Sequence, residues 1–371
     1  MNPQKNNLTT SVAPGGRNLH LDGIRGIAAV SVALLHFFRS FDNQFISYEK
    51  PINHSLLSSM WNGHFAVALF FVLSGYIFFK KFYLSSFIKG VNASVKRFLR
   101  LSIPIMCVCL FAYLIHRFGL FYNAEASVAT HSDWLARWYT FQPDLKLAII
   151  ESIWTDFVSF DPTLTYNSNL WTISYELFAV IIVIAFAIGC KFINFYAQVF
   201  SLAVLLFFSY NTHYFEFMLG AALGLIISKH RNLPLLVSIT FLILALSMAA
   251  LALPPILMPF SINTAYPIAA FLLLASVSMN NFVAKIFSNP VFIKLGDISF
   301  GLYLIHFLTI NSIASFVFLK TGSLSITFFL YITSTLILSY MFASFVDHPW
   351  THLLDRLFRK QSSTFSMSNV S

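Results

Sequence analysis

Apolar residues come in runs along almost the whole chain, each close to the length that crosses a bilayer. A helix needs about 20 predominantly apolar residues to span the hydrocarbon core. Such runs lie near 19–39, 62–82, 101–119, 169–189, 194–210, 212–228, 234–253, 263–281, 297–318 and 323–345. Short polar or Pro-containing breaks separate most of them. The pattern predicts an all-α, polytopic membrane protein with about ten transmembrane helices filling residues 19–346. Residues 1–18 and 347–371 read as cytoplasmic tails without fixed structure. The stretch 120–168 is long, polar in places and rich in Trp, Asp and Tyr. It reads as an extracytoplasmic loop of a length that usually carries function or covers a site.

Composition agrees with this reading. Of 371 residues 57% are hydrophobic and 10% charged, against roughly a quarter charged in soluble domains, which excludes a soluble globular enzyme. The 43 Phe are too many for one aqueous core, so apolar surface faces lipid as well as protein. The net charge of +9 reflects topology rather than nucleic-acid binding, since no basic stripe is interleaved with exposed aromatics in a soluble segment. With the N-terminus inside, only Arg39, Lys50, Arg117, Arg137, Lys146 and Lys320 fall outside, so 17 of the 23 basic residues are cytoplasmic. Such a bias predicts that both termini are cytoplasmic and that 120–168 lies outside. The first apolar run contains Asp22, Arg25 and His36 and lacks a small-residue cleavage site, so no removable signal peptide is expected. Cys107, Cys109 and Cys190 lie in or beside apolar runs and read as packing residues. Neither a disulfide nor a metal site is expected from them.

Polar side chains inside the runs are functional candidates, because each costs several kcal/mol unless paired or hydrated. The opening Leu21-Asp22-Gly23-Ile24-Arg25-Gly26 leads into a helix that reaches His36. Arg25 and His36, 11 residues apart, fall on nearly the same helical face, about 16 Å apart along the axis. Asp22 and Arg25, three apart, also suit a pair that closes the helix start. Ser74, in Phe70-Phe71-Val72-Leu73-Ser74-Gly75-Tyr76, suits close helix packing as well as a site. His64 reads either as a second active-site group or as an interfacial histidine. Arg97 and Arg100 share a face at the start of the third run, where two guanidinium forks suit phosphate or anchor to lipid headgroups. Glu176, in the stretch from Asn169 to Phe178 with Trp171 and Tyr175, is a carboxyl just inside the predicted outer boundary, placed to orient an imidazole or hold a proton. His306, in the stretch from Ser299, reads as a hydrogen-bonded structural residue.

Together these stretches resemble the acyltransferase-3 family of bacterial membrane acyltransferases, over nearly the whole chain. The carriers are Leu21 to Ala29 with His36, Phe70 to Tyr76, the Arg97/Arg100 pair, Trp171 to Phe178, Ser299 to His306 and the terminal Val346-Asp347-His348-Pro349. The resemblance implies that His36 is the catalytic base, with Glu176 aiding it, and that Arg25, Arg97 and Arg100 contact an acetyl-coenzyme A donor beside Ser74 and Tyr76. It implies supporting places for Asp22, His64, Trp171, Tyr175 and His306. It further implies O-acetylation of a surface polysaccharide, lipopolysaccharide or lipid-linked saccharide at the inner membrane, with no metal. Two departures stand out. Ala68 occupies a position where many relatives carry an acid, and the chain shows no C-terminal hydrolase-like domain. The chemistry fits the residue types, since arginines clamp coenzyme A phosphates and a sugar hydroxyl needs a base to attack a thioester. A transient acyl group on Ser74 or Tyr175 is a variant of that scheme. The rival class is a proton-coupled transporter or flippase, which also uses intramembrane His, Glu and Arg, but the halves of the chain show no convincing self-similarity.

Overall fold

The computed structural model describes residues 18–47, 49–230, 232–250 and 255–367. Among them the protein is all-helical, with no strand. Three helices open the chain: α1 (Leu19–Phe41), α2 (Gly63–Phe82) and α3 (Phe87–Arg117). Asn62 starts α2, its side chain accepting from the Phe65 amide at 3.0 Å, and Lys80 and Lys81 complement the dipole at its end. Next come α4 (Asn123–Thr130), a single turn Asp133–Ala136, and α5, which begins at Leu145–Ile150 and runs on through Glu151–Thr155 and Asp156–Val158.

The second half holds α6 (Trp171–Gly189), α7 (Phe195–Ser209), α8 (Tyr214–Lys229), α9 (Leu235–Ala249) and α10 (Tyr266–Met279). Two short helices follow, α11 (Asn281–Phe287) and α12 (Pro290–Asp297). Then come α13 (Ser299–Thr309, continued through Ile310–Ala314 and Ser315–Thr321), α14 (Leu324–Phe342, continued through Ala343–Asp347) and α15 (His348–Met367).

Seven of the described helical stretches are long and apolar enough to cross a membrane, and α7 and α9 are shorter apolar helices. A helix stands at each of the ten predicted places. The predicted tail 1–18 and the end of the run 234–253 fall largely outside the described residues. At the other end, residues 348–367 form α15 where the sequence suggests an unstructured tail. Apolar Trp350, Leu354 and Phe358 recur there on one helical stripe, and the Trp350 indole donates to the Leu99 carbonyl at 2.8 Å, docking α15 on α3.

Helices α1 and α2 form the centre of the molecule, and small residues let them be approached closely. A β-carbon on Gly75 would lie 2.1 Å from the Phe217 carbonyl oxygen, and one on Gly220 would lie 2.1 Å from that of Val72, so α2 and α8 touch backbone to backbone. Gly26 of α1 meets Gly296 of α12 in the same way, an added β-carbon falling 2.5 Å from the Gly296 nitrogen. Three apolar clusters fill the remaining space. One joins α1, α3 and α13, the second α1, α2 and α10, and the third α2, α6 and α8.

The segment 120–168 is not a free loop. Its helix α5 lies along α3, with Phe157 packed on Phe98 at 4.8 Å between ring centres, near the α3 end that carries Arg97 and Arg100. The return strand of chain then reaches Asn167 and Asn169, whose side-chain amides donate to the Leu304 and Tyr303 carbonyls. Buried apolar groups drive the re-entry, with Trp134, Leu135, Phe157 and Tyr166 all inside the core.

Candidate active site

A cavity of about 550 Å³ opens between α1, α2, α3, α6, α12, α13 and the start of α15. Its lining carries Arg25 and Asp22 from α1, Ser74 from α2, Arg97 and Arg100 from α3, and Glu176 from α6. Asp347 joins them from the π-helical turn Ala343–Asp347 that links α14 to α15. Such turns displace a side chain from the regular helical register, and here the displaced acid enters the cavity. His348 and His352 stand at the mouth, where His348 Nε2 lies 3.6 Å from Asp297 Oδ2.

The three arginines differ in what holds them. Arg25 pairs with Asp22 at 3.3 Å, the helix-closing contact read from their spacing. Arg97 is bound by Glu176, which also accepts from the Ser74 hydroxyl at 3.2 Å, and the Arg97 Nε is buried without a hydrogen-bond partner. Arg100 is exposed to the cavity and makes no hydrogen bond or ion pair among the described residues. Glu176 therefore positions a cation rather than an imidazole, because α6 begins deep beside α13 and its second turn already faces the arginine end of α3.

The inner end of the cavity is closed by a hydrogen-bonded layer. The Tyr303 hydroxyl donates to the Asn169 carbonyl at 2.9 Å and lies 3.0 Å from the Thr172 hydroxyl. Behind this layer sit two histidines that do not line the cavity. His306 is fully buried, and its Nδ1 lies 2.8 Å from the Leu302 carbonyl, which can only accept. Nδ1 of His306 therefore carries the proton, and in the neutral ring Nε2 holds the lone pair. That nitrogen receives Asn169 Nδ2 at 3.3 Å and His36 Nδ1 at 3.0 Å. His36 must donate from Nδ1, which leaves its Nε2 as a free base with no partner among the described residues. Trp134 stacks on the His36 ring at 5.0 Å and 28°, and the Arg39 guanidinium lies over Trp134.

Residues 18–344 match the family model described as an acyltransferase domain, that of the acyltransferase-3 family. The chain belongs to the acyltransferase-3 family. It is thus a multi-pass membrane acyltransferase. No curated protein and no solved structure matches the chain.

The acyltransferase-3 blocks read from the sequence converge on this region, with exceptions. Asp22, Arg25, Ser74, Arg97, Arg100 and Glu176 share the cavity, while His36 and His306 share the layer beyond it. Tyr76 is buried away from the cavity and meets Lys80 Nζ at 3.3 Å, because its ring projects from the opposite side of α2. Trp171 and Tyr175 pack on His213 of the loop before α8, each at 4.9 Å, and not on the histidine pair. His64 is exposed at the first turn of α2 and hydrogen-bonds to neither histidine. The sequence reading missed the roles of Tyr303, Asn169 and Thr172, although they sit inside motifs it singled out. Trp134 had no signal beyond the aromatic richness of 120–168.

Proposed function

We propose that the protein is an O-acetyltransferase of a bacterial inner membrane, taking acetyl groups from cytoplasmic acetyl-coenzyme A to a hydroxyl of a cell-surface or lipid-linked saccharide. The observation that carries the reading is the pairing of an arginine-lined cavity with a base, His36 Nε2, freed and oriented just beyond its inner end. In this scheme both termini are cytoplasmic and the cavity mouth at His348 and His352 admits the donor. Arg100 offers an open guanidinium to the donor phosphates, with Arg25 and the Glu176-held Arg97 beside it. The thioester passes the Tyr303 and Thr172 layer to reach His36.

The acceptor hydroxyl then attacks the thioester carbonyl while His36 Nε2 takes its proton. Collapse of the tetrahedral intermediate forms the ester, breaks the carbon–sulfur bond and releases coenzyme A thiolate, which takes the proton back. Throughout, His306 Nε2 accepts from His36 Nδ1–H, fixing the tautomer and stabilising the imidazolium that forms. A buried carboxylate plays this part in other catalytic histidine pairs.

The test is acetyl transfer from labelled acetyl-coenzyme A by purified protein in liposomes. Thioester consumption that needs a saccharide acceptor and disappears in His36→Ala supports the reading. Solute flux across the liposome without thioester consumption would replace it with a transporter.

A further inference from the structure

Outside the cavity, one buried cluster has no part in acyl transfer. Cys109 of α3 faces Glu151 and Asp156 of α5, and one ligand atom from each lies within 4.8 Å of the other two. All three residues are at most 1% exposed. Among the described residues neither carboxylate forms an ion pair with a Lys, Arg or His. Glu151 is held in place, accepting from the Tyr166 amide at 2.9 Å and from the Thr165 hydroxyl. Asp156 is not: both its oxygens are buried and neither has a hydrogen-bond partner among the described residues.

A buried carboxylate with two empty oxygens costs several kcal/mol unless a proton or a cation offsets it. A proton shared between the two acids would draw their oxygens into a short hydrogen bond, at about 2.5–2.7 Å, and no such bond joins Asp156 to Glu151. The open spacing suits an ion. Bonds of about 2.3 Å to sulfur and 2.0–2.2 Å to oxygen place tetrahedral ligand atoms somewhat under 4 Å apart, so a small contraction closes the site. Donor chemistry narrows the choice. A thiolate disfavours magnesium and calcium, and two carboxylates disfavour copper(I), whereas zinc accepts mixed sulfur and oxygen sets.

We propose that Cys109, Glu151 and Asp156 hold one zinc ion, which fastens the re-entrant helix α5 to α3. The assignment departs from the packing role read for Cys109 from sequence. It is independent of the acyl-transfer reading, because none of the three residues lines the cavity. The π-helical turn Glu151–Thr155 brings Glu151 and Asp156 to one side of α5, five residues apart, where a regular helix would separate them by about 140°.

Untagged protein purified in detergent from zinc-supplied cells tests it by plasma mass spectrometry, with about one zinc per chain expected. Loading with cobalt(II) should give a near-ultraviolet thiolate-to-cobalt band that Cys109→Ser abolishes, and Asp156→Asn should lose most of the metal. Wild-type protein with less than about a tenth of a zinc per chain and no cobalt band overturns the proposal, even if neither variant folds. Zinc retained at full occupancy in the Cys109→Ser, Asp156→Asn double variant overturns it as well, since the metal then sits elsewhere.

Discussion

In the proposed mechanism His36 depends on a partner for its chemistry. Its Nε2 keeps a lone pair because its Nδ1–H donates to His306 Nε2, and His306 can accept there because the Leu302 carbonyl occupies its own Nδ1–H. Removing His306 leaves His36 free to adopt the other tautomer, so His306→Ala should lower kcat by about 100-fold with little change in KM for acetyl-coenzyme A. His306→Gln, whose amide oxygen can accept from Nδ1–H, should recover part of that loss, an outcome a purely space-filling role does not produce. Steady-state kinetics on both variants checks this. Among the described residues Arg100 is the cavity guanidinium without a hydrogen bond or ion pair, and a charge-assisted contact is worth about 1.5–3 kcal/mol. Arg100→Ala should therefore raise KM for acetyl-coenzyme A by roughly 10- to 100-fold. Loss of kcat at unchanged KM would place Arg100 on the reacting group instead of the phosphates.

At the scale of elements, the site exists because α1, α2, α8 and α12 come closer than ordinary side chains allow. Gly26→Val drives a side chain into the α12 backbone at Gly296, and Gly220→Val does the same to α2. Either should cost about 3 kcal/mol, seen as a lowered thermal unfolding temperature in detergent. The re-entrant helix α5 carries a pH dependence of its own. Burial lifts the Glu151 carboxyl from 4.5 to about 7, against hydrogen bonds from Thr165, Tyr166 and Asn167, and lifts Asp156 well above its ordinary value. A carboxyl raised in the folded state contributes stability in full below its unfolded value, and loses it as pH rises through about 7. Protein stripped of metal should thus unfold at a higher temperature at pH 5.5 than at pH 8. With a cation bound the order should reverse, because the ion displaces those protons.

For the whole molecule, the proposed mechanism brings donor and acceptor from opposite sides of the layer made by Tyr303, Asn169 and Thr172, and orientation in the membrane decides which side is which. Glu125→Cys at the start of α4 should react with an impermeant maleimide applied from outside intact cells. Lys89→Cys, exposed at the start of α3, should react only after the membrane is permeabilised. Labelling in the reverse pattern would invert the topology drawn from the basic residues.

Membrane character, all-helical class and the places of the ten predicted apolar helices were legible in the sequence, because run length against bilayer thickness and the distribution of Lys and Arg are properties of the chain itself. So was most of the cavity wall, since Arg25, Arg97, Arg100 and Glu176 are expensive residues in apolar runs and stand out for that reason. The partner of each was not legible. Glu176 lies 140 residues from His36 along the chain, and nothing local says that it holds Arg97 while His306, 270 residues away, orients the imidazole. The re-entry of α5 was hidden as well, because its polar residues mimic an exposed loop until Cys109 and Phe98 of α3 are seen to bury it. Sequence determines which groups must avoid lipid; only the tertiary packing decides with whom they do so.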